Sequence, residues 1–257
     1  MRKKFIGILL IIIFIQNLKA QEITSNNVFF YKFEFQRDST NQEKKLQEMM
    51  VLISNGKESI YKSYPGMKRD SIVTADFARG NYTISFKNMP KSNVFHQVYY
   101  NKNEDIQIFD KVVNKYFSFP ADKISWKIDN EKKKIGEFNC QRAFCVINNR
   151  KFEAWFTNEI PLNDGPYRFK GLPGLIVQVY DEKKYFVFTL EGIKKQNITT
   201  EIPKNVINTT HENFIKERGE FYNDPVGKAK LYMGNNVILA DPRIINDRFK
   251  KHNLFLD

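Results

Sequence analysis

The sequence predicts a mainly β protein, an antiparallel meander forming a curved sheet, half-barrel or sandwich, with one C-terminal helix. Three observations predict it. The 257 residues include 23 Phe and 12 Tyr, side chains that suit strands better than helices. Period-two alternation of apolar and polar residues recurs from Val28 to Leu190. Turn-forming pairs, Asn55-Gly56 and Asn148-Asn149 among them, separate the alternating runs.

The N-terminus comes first. Arg2, Lys3 and Lys4 precede an almost pure run of Ile, Leu and Phe from Phe5 to Ile15, and Ala20 stands before Gln21. A basic start, an apolar stretch and a small residue are the parts of a cleavable secretory signal. The run is short of the roughly 20 apolar residues that span a bilayer. Residues 1–20 are therefore expected to be removed, leaving no transmembrane span and placing the protein in the periplasm, at the outer membrane or outside the cell. The formal charge is +12; without the segment's four cations, and it has no acids, the mature chain stands near +8.

The first strand carries Phe29, Tyr31, Phe33 and Phe35 on one face, with Lys32, Glu34 and Gln36 on the other. Leu46–Ser54 and Lys57–Ser63 flank Asn55-Gly56 as a two-residue hairpin. Met67–Phe77 reads as a turn of helix or a loop. Tyr82, Ile84 and Phe86 alternate, and Val94–Tyr100, Ile106–Val113 and Ile124–Ile128 follow as strands. Phe138–Ile147 and Arg150–Thr157 form a hairpin about Asn148-Asn149. On its second strand Phe152, Ala154 and Phe156 share one face, and Glu153, Trp155 and Thr157 share the other. One face is core; the second is a possible binding face, because an indole is costly to leave in water.

Thr210 caps a helix over Thr210–Phe221, which Asp224-Pro225 stops. A strand over Asn236–Ala240 and a basic end complete the chain. The domains read as 1–20 signal, 21–225 a single β-rich unit and 226–257 a C-terminal appendage.

One central block is specific. It comprises Trp126, Gly136–Ala143, Arg150, Glu153-Ala154-Trp155-Phe156-Thr157, Gly165-Pro166 and Gly171-Leu172-Pro173-Gly174-Leu175-Ile176. It resembles the GLPGLI family of exported proteins from Gram-negative bacteria. The resemblance implies an envelope protein and brings no catalytic residues with it. Physically, Pro173 fixes φ and Gly174 can take φ > 0, which specifies a type II turn at a buried corner. Gly171, Leu172, Leu175 and Ile176 then flank that turn.

Chemistry is sparse. His96, His211 and His252 lack metal-ligand spacing, and Ile215 stands where a zinc-type HExxH needs its second histidine. There is no GxSxG and no Gly-rich phosphate loop. Cys140 and Cys145 have an odd offset that points them to opposite strand faces, so a disulfide needs a bulge between them. The basic pairs and triplets (Lys132–Lys134, Arg150-Lys151, Lys183-Lys184, Lys194-Lys195, Lys250-Lys251) are scattered at strand ends and turns. That pattern fits solubility rather than nucleic-acid binding. No cofactor, metal or nucleic acid is expected. Two classes remain: a non-enzymatic envelope module that binds protein, peptide or lipid, or a hydrolase with a site assembled from distant residues.

Overall fold

The computed structural model describes residues 22–41, 44–83, 85, 87–104, 106–234 and 241–256. The segment expected to be a secretory signal and the strand expected over Asn236–Ala240 lie outside the described residues. Among the described residues twelve strands form one curved open sheet. They are β1 (Glu22–Gln36), β2 (Lys45–Ser54), β3 (Glu58–Ser63), β4 (Gln97–Asn101), β5 (Ile106–Val112) and β6 (Lys115–Ala121). Next come β7 (Lys127–Ile135), β8 (Phe138–Ile147), β9 (Arg150–Thr157), β10 (Leu175–Asp181), β11 (Phe186–Glu201) and the short β12 (Ile207–Asn208).

The sheet order is β12-β6-β5-β4-β3-β2-β1-β11-β10-β9-β8-β7. Two sequential meanders thus abut where β1 pairs with β11, from Glu22↔Glu201 to Phe35↔Phe186. Only β12, parallel to β6, departs from the antiparallel pattern among the described residues. The first-strand alternation holds: Phe29, Tyr31, Phe33 and Phe35 are all buried in the main core. At 148–149 both asparagines take positive φ, 48° and 62°, and Ile147 faces Arg150 in a two-residue turn. The Asn55 hairpin is longer than expected. Asn55, Gly56 and Lys57 connect the strands, and the Asn55 side-chain oxygen accepts from the amides of Lys57 and Glu58 at 3.0 and 2.8 Å.

Of the strand expected over Tyr82–Phe86, Ile84 and Phe86 lie outside the described residues, and Tyr82, Thr83 and Ser85 are in no strand. Tyr82 is 80% exposed, so no sheet face holds it. The ambiguous Met67–Phe77 lies inside a full helix, α1 (Tyr64–Ala78). Ser63 caps it by accepting from the Gly66 amide at 3.0 Å, and Pro65 sits in the first turn, where a missing N–H costs nothing. Strand β7 begins at Lys127, so Ile124 and Trp126 precede it in a loop.

Two apolar faces result. The main core lies on one face of the sheet, and the residues 158–174 between β9 and β10 insert Tyr167, Phe169 and Leu172 into it. On the other face Ile23, Val28, Val51, Ile53, Ile60, Tyr99 and Phe109 pack beneath Tyr64 and Met67 of α1 and beneath Ile198 and Ile202.

The expected helix is α2 (His211–Asn223), capped by Thr210 accepting from the Asn213 amide at 3.2 Å. Two more follow, α3 (Pro225–Met233) and α4 (Pro242–Lys250). Tyr232 of α3 packs against the main core. Phe214 of α2 stacks on Phe119 at 4.6 Å, and Leu254 and Leu256 of the tail pack on the main cluster. The amides of Asn253 and Leu254 donate to Arg37 O, and Arg150 donates to Phe255 O at 2.9 Å. The tail therefore straps the end of β1 to the start of β9.

His252 anchors that strap. Its ring stacks on Phe255 at 5.2 Å and its Nδ1 shares a 2.8 Å hydrogen bond with the Tyr222 hydroxyl. Burial first, then the nearby Arg37 and Arg218 charges, push its pKa down to about 4. An unfolded histidine titrates near 6.5, so the unfolded state binds the proton first as pH falls. This contribution to stability is full above about pH 6.5 and is lost as pH drops toward 4. The melting midpoint is expected to fall across that window in the wild type, and less steeply in His252→Phe; equal slopes by calorimetry would remove His252 as the cause.

Candidate functional site

The 158–174 segment carries the densest convergence of buried polar groups. Asp164 and Lys170 form an ion pair in which both side chains are almost fully enclosed, 4% and 3% exposed. The Lys170 ammonium also donates to Gly165 O at 2.6 Å. Asp164 accepts from the Ser54 hydroxyl at 2.9 Å and from the Gly165 amide at 2.8 Å. Burial pushes the Lys170 pKa down while Asp164 pulls it back up. An uncompensated charge at this depth would cost several kcal/mol, so each group holds the other in place.

Backbone bonds complete the base of the segment. Leu175 N donates to Ile160 O at 3.1 Å and Ile176 N to Asp164 O at 3.1 Å. Tyr31, fully buried on β1, donates to Ile176 O at 2.7 Å. Its pKa is held well above 10 by burial and by Asp164. Trp126 donates its indole N–H to Lys170 O at 2.8 Å and tilts against Phe169. Phe169 in turn meets Phe152 at 5.0 Å and Phe188 at 5.8 Å. The segment is thus nailed from β1, from β2 and from the 122–126 loop.

Above the pair opens a small polar cleft of about 110 Å³, lined by Ser54, Lys57, Glu58, Tyr100, Lys102 and Asp164 together with Pro161–Asn163. That volume suits a few waters or one small polar group. Glu58 accepts from the Tyr99 hydroxyl at 2.8 Å. Sequence reading missed every one of these polar residues. The available signal was a pair of opposite charges, Asp164 and Lys170, inside an otherwise apolar and aromatic stretch next to two glycines.

The hexapeptide is a buried corner, but not through the turn expected. Gly174 is not among the positive-φ residues; Gly171 is, at +95°. The demand at Gly174 is space. A Cβ there would stand 2.1 Å from Thr157 O, where β10 begins beside the end of β9. Gly165 is as tight, with Phe169 O at 2.7 Å and Ile176 Cβ at 2.9 Å. Leu172, Leu175 and Ile176 are buried at 1%, 0% and 0% exposure. Pro173 sits between Leu172 and Gly174, whose N–H donates to Leu172 O at 2.8 Å.

Trp155 does not line an open groove. It is 2% exposed, in a small cluster with Cys140 and Val177. The Lys133 ammonium of edge strand β7 covers the ring at 3.9 Å from its centroid. The indole N–H donates to Glu153 at 2.7 Å, and the Tyr180 hydroxyl donates to the same carboxylate oxygen. Thr157 is fully buried. Cys140 and Cys145 are free thiols in separate clusters on the two faces of β8, as their odd offset requires. Burial pushes their pKa values up to about 11 and about 12, which keeps them protonated. Among the described residues no group of three or more His, Cys, Asp or Glu is arranged to hold a metal, and no helix is long and apolar enough to cross a membrane.

Comparison with known proteins places part of this block. The model of a family described as a protein of unknown function, Porph_ging, matches residues 144–178, from β8 through the inserted segment to β10. No curated protein matches the sequence. Solved structures of PNGF-II, in the C2 and P21 space groups, superpose with a TM-score of 0.49 each, at 16% and 15% identity, covering 77% and 78% of this chain. This chain spans about a third of theirs, 33% and 34%. The likeness carries no activity over.

The packing at Gly174 gives a direct expectation. Gly174→Ala collides with backbone rather than with a movable side chain, so it should cost more than about 2 kcal/mol in chemical denaturation. Gly219→Ala in α2, where an added Cβ meets nothing within 4 Å, should leave stability unchanged or slightly raised. Equal midpoints for the two variants would refute the close-approach role.

Proposed function

We propose that this is an exported bacterial envelope protein of the GLPGLI type, acting as a non-enzymatic binding or structural module toward a protein, peptide or lipid. The observation that carries the reading is the state of Asp164 and Lys170. They lie in the block that the family model matches, and their partners come from the chain itself: Ser54, the Gly165 backbone and each other. A general acid or base must reach the proton it transfers, whereas these groups are spent in holding the segment. The cleft over them is rimmed by Lys57, Glu58 and Lys102, charges suited to seat one polar group of a partner.

A hydrolase is the second reading, and one observation favours it. Ser54 and Asp164 border the cleft, and Asp164 takes the Ser54 hydroxyl on one oxygen and the Lys170 ammonium on the other, which brings a serine and a lysine of lowered pKa, the residue types of a nucleophile–base combination, onto one carboxylate.

Purified mature protein assayed against peptide, ester and glycoside substrates separates the two. The binding reading expects no turnover above buffer, and rim variants Lys57→Gln and Lys102→Gln that lose partners captured by wild type from envelope extracts. Turnover abolished by Ser54→Ala, with the melting midpoint kept, would establish the hydrolase instead.

A further inference from the structure

Helix α1 leaves the sheet as it runs. Gly66 is its only buried residue, and its later turns stand in solvent. Its far end is apolar nonetheless. Ile72 is 41% exposed and Phe77 47%, and Phe77 packs against the 80% exposed Tyr82 with ring centroids 5.9 Å apart. Large apolar groups grouped on one projecting element are unusual on a monomer's surface.

The root of the same helix is under-neutralised. Arg69 pairs with Asp70 at 3.2 Å. Lys111 of β5 and Lys62 of β3 also feel Asp70, the one carboxylate common to all three cations. Burial and the Arg69 charge lower the Lys111 pKa, and burial takes Lys62 down to about 8. Glu201 also faces Lys62, so three cations meet two carboxylates and the cluster keeps a net positive charge. Lys111 further lies 5.6 Å from the ring of Phe95, itself 44% exposed.

We infer that α1 docks the protein on an anionic phospholipid surface, with Phe77 and Tyr82 entering the headgroup boundary and Arg69 and Lys111 meeting lipid phosphate. An apolar tip on a helix whose root carries excess positive charge is the pattern that binds such interfaces. Anionic headgroups supply the counter-charge the cluster lacks, and each basic residue near the surface adds to the attraction. Aromatic rings with a polar handle, such as Tyr82, settle at that depth. Docking rests on neither the Asp164 cleft nor the absence of catalysis.

The test is co-sedimentation of the mature protein with vesicles of phosphatidylglycerol and phosphatidylcholine, against pure phosphatidylcholine. Wild type should partition onto the anionic vesicles at least tenfold more strongly, and 0.5 M salt should weaken this, since about 0.5 M brings the screening length to a few ångströms. Phe77→Ser with Tyr82→Ser, and separately Arg69→Gln with Lys111→Gln, should each lower partition about tenfold with the melting midpoint kept. If the aromatic pair fails to fold, Ile72→Gln serves, with a smaller loss expected. Lys57→Gln and Lys102→Gln, on the cleft rim, should leave sedimentation unchanged. Equal partition onto neutral vesicles, no partition at all, or full partition by the folded variants would overturn the proposal. Binding of inorganic phosphate without vesicle association would do so too, by reducing the cluster to a free-anion site.

Discussion

The buried ion pair between Asp164 and Lys170 is the constraint on which the rest depends. A curved sheet with an aromatic face needs something to fill it, because strands alone leave the apolar side chains of opposite ends too far apart to touch. Here the filler is the chain's own segment between β9 and β10, which carries Tyr167, Phe169 and Leu172 inward. An irregular segment in that position must satisfy its polar backbone. The pair does this locally: the Lys170 ammonium takes up Gly165 O, and Asp164 takes up the Gly165 N–H and the Ser54 hydroxyl. Neither charge is tolerable alone at that depth.

The two meanders depend on this filling in different ways. β1 and β11 share a long register, so the two halves of the sheet meet along thirteen paired positions. Beyond that seam, Phe169 of the inserted segment meets Phe152 and Phe188 of the second meander, while Tyr167 meets His96 just before β4 of the first. The C-terminal tail closes the far side through Arg37 and Arg150. What a sheet of this shape would offer as an open concavity is consumed internally. Among the described residues a partner meets the small polar cleft, a more open one of about 410 Å³ lined by Gln36, Lys45, Lys183 and Tyr185, and the outer surfaces.

Legibility followed the range of the interactions. Local patterns were readable: the β1 aromatics, the Asn148-Asn149 turn and the Thr210 cap depend on neighbours within a few residues. Helix α1 was obscured because Tyr64-Pro65-Gly66 reads as a turn and its later turns bury nothing. Trp155 was assigned to a second face correctly, yet its cover is Lys133, supplied by the edge strand β7 twenty-two positions earlier. Gly174 was singled out for φ, whereas its requirement is the approach of Thr157 O. That contact exists only once β9 and β10 pair. The Asp164–Lys170 bond was invisible for the same reason: six residues apart, it forms only because the segment turns inward onto Ser54 of β2.

The most direct test of this account is a double-mutant cycle on that pair, read by equilibrium denaturation. Lys170→Met, which leaves Asp164 buried without its counter-charge, should lose about 3–5 kcal/mol. Combining it with Asp164→Asn should cost less than the two single changes added together, since no lone charge then remains. Additive losses, or a Lys170→Met protein as stable as wild type, would contradict the claim that this ion pair holds the core segment in place.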